Sequence, residues 1–174
     1  MHSSINIINN NLFFEKGLLS EDIDWTIGLF VHANNFVYCP YNYYYYRQKR
    51  PGSITNSGGL KNAEDILFSI NKWASEDERH EYQSEINSML SFEYIMALMV
   101  YSNLSRYEKS LIIGKLEKLR YVLDFSRTNK TKFFKVLCKI FGIHYGAIIG
   151  RKLDKARRKL LSIKRKMIQE ENRV

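Results

Sequence analysis

Phe13-Phe14-Glu15-Lys16-Gly17-Leu18-Leu19-Ser20-Glu21-Asp22-Ile23-Asp24-Trp25 sets a glycine, a capping serine and two adjacent carboxylates directly in front of an apolar helical pattern. Ser20 is the candidate N-cap, because a serine hydroxyl can accept from an otherwise unpaired N–H of the first turn. Glu21 and Asp22 fall in that turn, where the positive end of the helix dipole favours anions. Ile23, Ile27, Phe30 and Val31 recur on one face while Trp25 and Leu29 cover another. A helix over 20–33, buried on more than one side, is the expectation. It would hold the two carboxylates rigidly at its mouth. Acidic residues after a serine cap also begin many ordinary helices, so these residues by themselves leave the structural and the functional reading open.

The sequel adds Phe36-Val37-Tyr38-Cys39-Pro40 and then Tyr43-Tyr44-Tyr45-Tyr46-Arg47-Gln48-Lys49-Arg50-Pro51-Gly52-Ser53-Ile54-Thr55. Aromatic and β-branched residues at 36–39 and 43–48 around Pro40 read as two short strands and a turn. Alternation in a strand accounts for the tyrosine run, two rings facing a core and two facing out, more simply than stacking on a sugar or a base. Arg47 to Ser53 is a polar basic loop with a Pro-Gly turn. Such a loop is commonly just solvated, although a guanidinium fork also matches a diphosphate.

Taken together over residues 8–57, the acidic helix start, the apolar helix, the strand ending in proline and the Tyr-rich basic segment resemble the second half of the catalytic domain of family-two glycosyltransferases. These are inverting, nucleotide-sugar-dependent hexosyltransferase-like enzymes of bacterial polysaccharide synthesis. The resemblance implies Asp22 as general base, with Glu21 orienting it or contacting the acceptor. It implies Trp25, Arg47, Arg50 and Ser53 as substrate-binding residues, the last three near the leaving diphosphate. Asp22-Ile23-Asp24 spells the Asp-x-Asp of a metal motif, but it follows a serine cap and opens a helix, as the family's later Glu-Asp motif does. No metal ligands are therefore assigned in this chain. In a complete enzyme the resemblance implies a nucleotide-sugar and a divalent cation, Mg or Mn. No glycine-rich phosphate loop and no succession of strands and helices is legible, so the nucleotide-binding half is expected from elsewhere, either a separately encoded half or a second copy. A partial enzyme, inactive alone, is the expectation.

The 174 residues and 45% hydrophobic content suffice for a packed core. Met1 to Asn11, polar around Ile5, Ile7 and Ile8, reads as a strand or as an unfixed lead-in. It has neither the basic start nor the apolar run of a secretory signal. Cys39 and Cys138, far apart and without a CxxC, read as buried thiols of a cytoplasmic protein. Charge is unevenly spread: residues 130–174 hold 14 Lys/Arg against 3 Asp/Glu, whereas residues 1–129 hold 13 against 15. The net +9 therefore belongs to the tail, which seeks an anionic surface.

Helical patterns fill the rest. Asn62 opens one with Ile66, Leu67, Ile70 and Trp73 on its face. Ser75-Glu76-Asp77-Glu78 is a capping box before a helix reaching Tyr101, with Glu93 at the edge of its apolar stripe. Ser105-Arg106-Tyr107-Glu108 repeats the box before a helix reaching Phe125, with Gly114 inside it. Phe133 to Gly150 is apolar but interrupted by Lys135, Lys139, His144 and three glycines, so an interfacial or core-packed helix fits better than a spanning one. His144 has no ligand-type neighbours in sequence and reads as structural. Leu153, Ala156, Leu160, Ile163 and Met167 then line a basic amphipathic helix, suited to an anionic bilayer or a partner helix.

The fold expected is mainly α with a small β element, the C-terminal portion of a glycosyltransferase A-type α/β domain followed by a helical extension. Residues 1–57 form the acceptor-side fragment, 58–129 a helical bundle and 130–174 the basic tail. The function expected is transfer of a sugar to a saccharide or lipid-linked acceptor, at the inner face of the plasma membrane. The alternative is a non-enzymatic helical module binding an anionic membrane surface or a partner protein. Nucleic acid ranks behind both, because the most basic part of the tail lacks interleaved aromatics.

Overall fold

The computed structural model describes residues 7–33, 35, 37–38, 40–41, 59–75 and 81–171, the side chains at 165, 166 and 169–171 excepted. Within these bounds the chain is mainly helical, with α1 at Glu21–His32, α2 at Leu60–Trp73, α3 at Gln83–Tyr101 and α4 at Arg106–Lys118. A 3-10 helix at Arg120–Phe125 leads into α5 at Asn129–Glu171. No strand occurs among the described residues. The expected two-stranded element fails where it can be seen: Val37, Tyr38, Pro40 and Tyr41 form no strand and are exposed, and the rest of 36–48 lies outside the described residues. Ile7 begins a short helical turn, not a strand.

Helix α3 is the centre. Ile86, Leu90, Tyr94, Ile95, Ala97, Leu98 and Tyr101 are buried around its circumference, as in a helix apolar on more than one side. It packs on α2, on the 3-10 helix and on α5. Ile66, Leu67 and Ile70 of α2, Ile112 and Leu116 of α4, Val122 and Leu123 of the 3-10 helix and Phe134 of α5 close the core, which Ile23 and Ile27 of α1 join. Each such side chain contributes about 1.5–3 kcal/mol by leaving water.

Helix boundaries moved where side chains found other partners. The capping box expected at Ser75 does not open α3, whose first residue is Gln83. Asn87 instead accepts from the Ser75 N–H and donates to its carbonyl, which pins Ser75 to the flank of α3. The Ser105 box forms as read: Glu108 N–H donates to the Ser105 hydroxyl and the Ser105 N–H to the Glu108 carboxylate. Its helix stops at Lys118, because the tighter 3-10 winding that follows turns Val122 and Leu123 into the core.

In α5, Gly142 has φ 71° and ψ 171°, a backbone that only glycine adopts without strain. The chain reverses there. A Cβ on Gly146 would lie 3.0 Å from the Cys138 backbone, and one on Gly150 would overlap the Phe134 ring. In a straight helix residues 134 and 150 would be about 24 Å apart. Residues equidistant from Gly142 thus face each other, and α5 is a hairpin with a first arm of 129–141 and a second of 143–171. Residues 129–164 have the length and apolarity of a spanning helix, but the reversal leaves a first arm of about 20 Å, short of the ~30 Å hydrocarbon.

Two glycines separate propensity from packing. A Cβ at Gly114 meets nothing within 4 Å, so Gly114→Ala should stabilise by up to ~1 kcal/mol in urea unfolding. Gly150→Ala presses on the buried Phe134 ring and should cost about 1–3 kcal/mol in the same measurement.

Candidate functional site

The loop before α1 is held from behind by α2. Gly17, at φ 90°, makes the turn that the sequence reserves for glycine. The Leu19 N–H then donates to the Asp65 carboxylate at 2.8 Å, and Lys61 grips the same carboxylate at 2.8 Å. Ser20 stands at the N-cap position, but its hydroxyl donates to the Asn62 side chain at 3.0 Å and caps no N–H of α1. The expected serine cap is replaced by a tie between helices.

Within the first turn the three acids take different places. Glu21 is half-buried and Asp22 exposed, while Asp24 is buried. Asp24 accepts from Lys72 at 2.9 Å and from the Trp73 indole N–H, so α2 holds it and it serves as an anchor. Trp25 stacks on Phe14 with ring centres 4.9 Å apart and donates its indole N–H to the Leu12 carbonyl at 3.1 Å. It forms a wall beside the carboxylates, one face covered by Phe14. Arg47, Arg50 and Ser53, with the whole basic loop that carries them, lie outside the described residues.

Glu93 was read as the edge of an apolar stripe. Burial pushes its carboxyl up to about 7, the charge of Asp22 pushes the same way and Lys130 opposes both. The charges of Asp22 on α1 and of Lys130 at the start of α5 thus both act on Glu93 of α3. Burial lowers Lys130, and Asp154 opposes that shift. The interruption of the stripe by Glu93 was the available signal. Its weight depended on Asp22 and Lys130, which are distant in sequence.

An open groove of about 720 Å³ runs between α1 and α3, lined by Ile27, Phe30, Val31, Tyr82, Ile86 and Met89. It adjoins the C-terminal half of α1, and neither Glu21 nor Asp22 lines it. Among the described residues no group of three or more His, Cys, Asp and Glu side chains is placed to hold a metal ion. His144 bonds the Tyr101 hydroxyl at 2.9 Å, a structural partner. Cys138 is buried, its thiol pushed up to about 11 by that burial and thus unreactive, whereas Cys39 lies outside the described residues.

No family model, no curated protein and no solved structure matches this chain.

The arrangement can do one thing plainly: present an exposed carboxylate on a backbone fixed by Asp65, Asn62 and Lys72, with a charge that reaches the Glu93 carboxyl, which burial pushes up to about 7. The folded chain holds the Glu93 proton to a higher pH than the unfolded chain, whose carboxyl ionises near 4.5. Stability from this group is therefore full below about 4.5 and falls as pH rises towards about 7. Urea unfolding between pH 5 and 8 should show the wild type losing stability at a slope of at most ~1.4 kcal/mol per pH unit, levelling above about 7. Glu93→Gln should remove that component.

Proposed function

We propose that residues 13–32 form the acceptor side of an inverting glycosyltransferase site, with Asp22 as the general base. The observation that supports this reading most is the exposed Asp22 next to a half-buried Glu21 on a helix start tied to α2 through Asp65, Asn62 and Lys72. A base must meet its proton within hydrogen-bond reach and in a fixed direction, which a rigid helix mouth provides.

In this reading an acceptor hydroxyl binds at Asp22, with Glu21 orienting it. The hydroxyl oxygen forms the new bond to the anomeric carbon as its proton passes to an Asp22 carboxylate oxygen. The bond from that carbon to the diphosphate oxygen breaks, and the diphosphate leaves with the electron pair. Arg47 and Arg50, with Ser53, neutralise the departing charge, the demand that any such leaving group makes. The nucleotide-sugar supplies the activated sugar, and its pocket is not among the groups described here. The 174 residues accordingly bind acceptor but do not turn over by themselves. A module without catalysis, acting at a membrane, would draw on α5 and leave this site idle.

Titration of the isotopically labelled chain with mono- and oligosaccharides should shift backbone amides between residues 17 and 25. Asp22→Asn should weaken binding on the order of tenfold, the size of one charge-assisted hydrogen bond. Shifts confined to the groove at Ile27 and Met89, or none, would remove the acceptor reading. Steady hydrolysis or transfer of a nucleotide-sugar by the purified chain would refute inactivity alone.

A further inference from the structure

Because residues equidistant from Gly142 face each other, the first arm of α5 runs out at 129, opposite 155 on the second arm. The last stretch, 156–171, therefore extends about 24 Å past the base of the hairpin at about 1.5 Å per residue. Every described side chain from Lys155 to Lys164 is exposed. That segment carries Lys155, Arg157, Arg158, Lys159 and Lys164 and no acidic residue. It also exposes Leu160, Leu161, Ile163 and, beyond it, Met167 and Ile168, large apolar side chains with no core to enter. With Leu153, the residues Leu160, Ile163 and Met167 continue one apolar row at helical spacing, and the cations stand beside it.

We infer that this overhang is an interfacial helix that lays its Leu160-Ile163-Met167 row, continued back to Leu153, into the surface of a bilayer rich in anionic phospholipid. The inference goes beyond the acceptor site and stands or falls separately from it. Three occupants compete for such a face, and charge together with apolarity decides among them. A second copy of the overhang would bring six cations against six others, with only Glu170 and Glu171 at the far end of each to offset them. A nucleic acid would neutralise the cations but leave the apolar row in water. An anionic bilayer satisfies both demands, since headgroup phosphates meet the lysines while their stems and the apolar row enter the acyl boundary.

The hairpin makes this testable without harm to the fold, because the overhang lies beyond the hairpin's paired part. The full chain should be co-sedimented with phosphatidylglycerol/phosphatidylcholine vesicles and with phosphatidylcholine vesicles alone. At least tenfold more should bind the anionic vesicles, and added salt should weaken that binding. The double variant Leu160→Glu/Ile163→Glu should lose at least tenfold in anionic vesicle binding while keeping the wild-type unfolding midpoint. Equal binding to both vesicles or to neither, or retention of binding by the double variant, overturns the inference. So does a dimer in sedimentation velocity that the double variant disperses while vesicles are ignored, since the second copy would then occupy the row.

Discussion

Two buried phenols on α3 set the registry of the molecule. Tyr94 and Tyr101 are almost wholly inside, and a hydroxyl withdrawn from water must find a partner or cost roughly 1–3 kcal/mol. Tyr94 donates to the Leu116 carbonyl at 2.7 Å, which reaches it from α4. Burial holds its phenol far above the ordinary range, so it remains a neutral donor. Tyr101, two turns on, meets His144 at 2.9 Å just past the reversal in α5. Apolar packing alone is non-directional and would allow α4 and α5 to slide along α3. The two directional bonds admit one setting of each, and that setting places the Gly142 hairpin at the C-terminal end of α3.

Helix α1 is attached differently. Ile23 and Ile27 reach the core, but the ties that orient the helix are polar and run to α2: Leu19 and Ser20 at its mouth, Asp24 one turn in. Polar ties of this kind fix rotation about the helix axis, which apolar packing by itself does not. The same ties explain why three acids in one turn are not equivalent. Asp24 points at Lys72 and Trp73 and is consumed in anchoring, which leaves Glu21 and Asp22 on the accessible side.

Periodicity revealed the helices because their apolar residues recur every three or four positions, and the Ser105 box was legible because all its partners lie within four residues. What failed to show was decided over distance. Ser20 and Ser75 looked like caps, yet Asn62 and Asn87 claimed them across 42 and 12 positions. Glu93 is half-buried at the edge of its stripe as expected, but the charges of Asp22 and Lys130, which act on it from two other helices, are distant in sequence. The reversal at Gly142 was hidden for another reason. Three glycines at spacing four read as breaks in an apolar helix, whereas only the first breaks it and the other two let the second arm close onto Cys138 and Phe134.

The hairpin also explains where the tail changes character. Between Lys130 and Gln169 the sequence has a single acid, Asp154. It is as far from Gly142 as Lys130 is, so the fold sets the two opposite each other, and Asp154 partly offsets the burial that lowers this lysine. Asp154 also pairs with Arg158 one turn on. The one negative charge in that stretch thus sits one position before the end of the facing arms, where cations from both sides would otherwise repel as they come together. Beyond it only Asn129 of the first arm remains to be matched, and lysines and arginines continue with no acid before Glu170 and Glu171. A uniform charge along the tail would have given no such boundary. A lone acid at the end of the paired segment separates a portion adapted to the protein from a portion whose charge is complementary to something outside it.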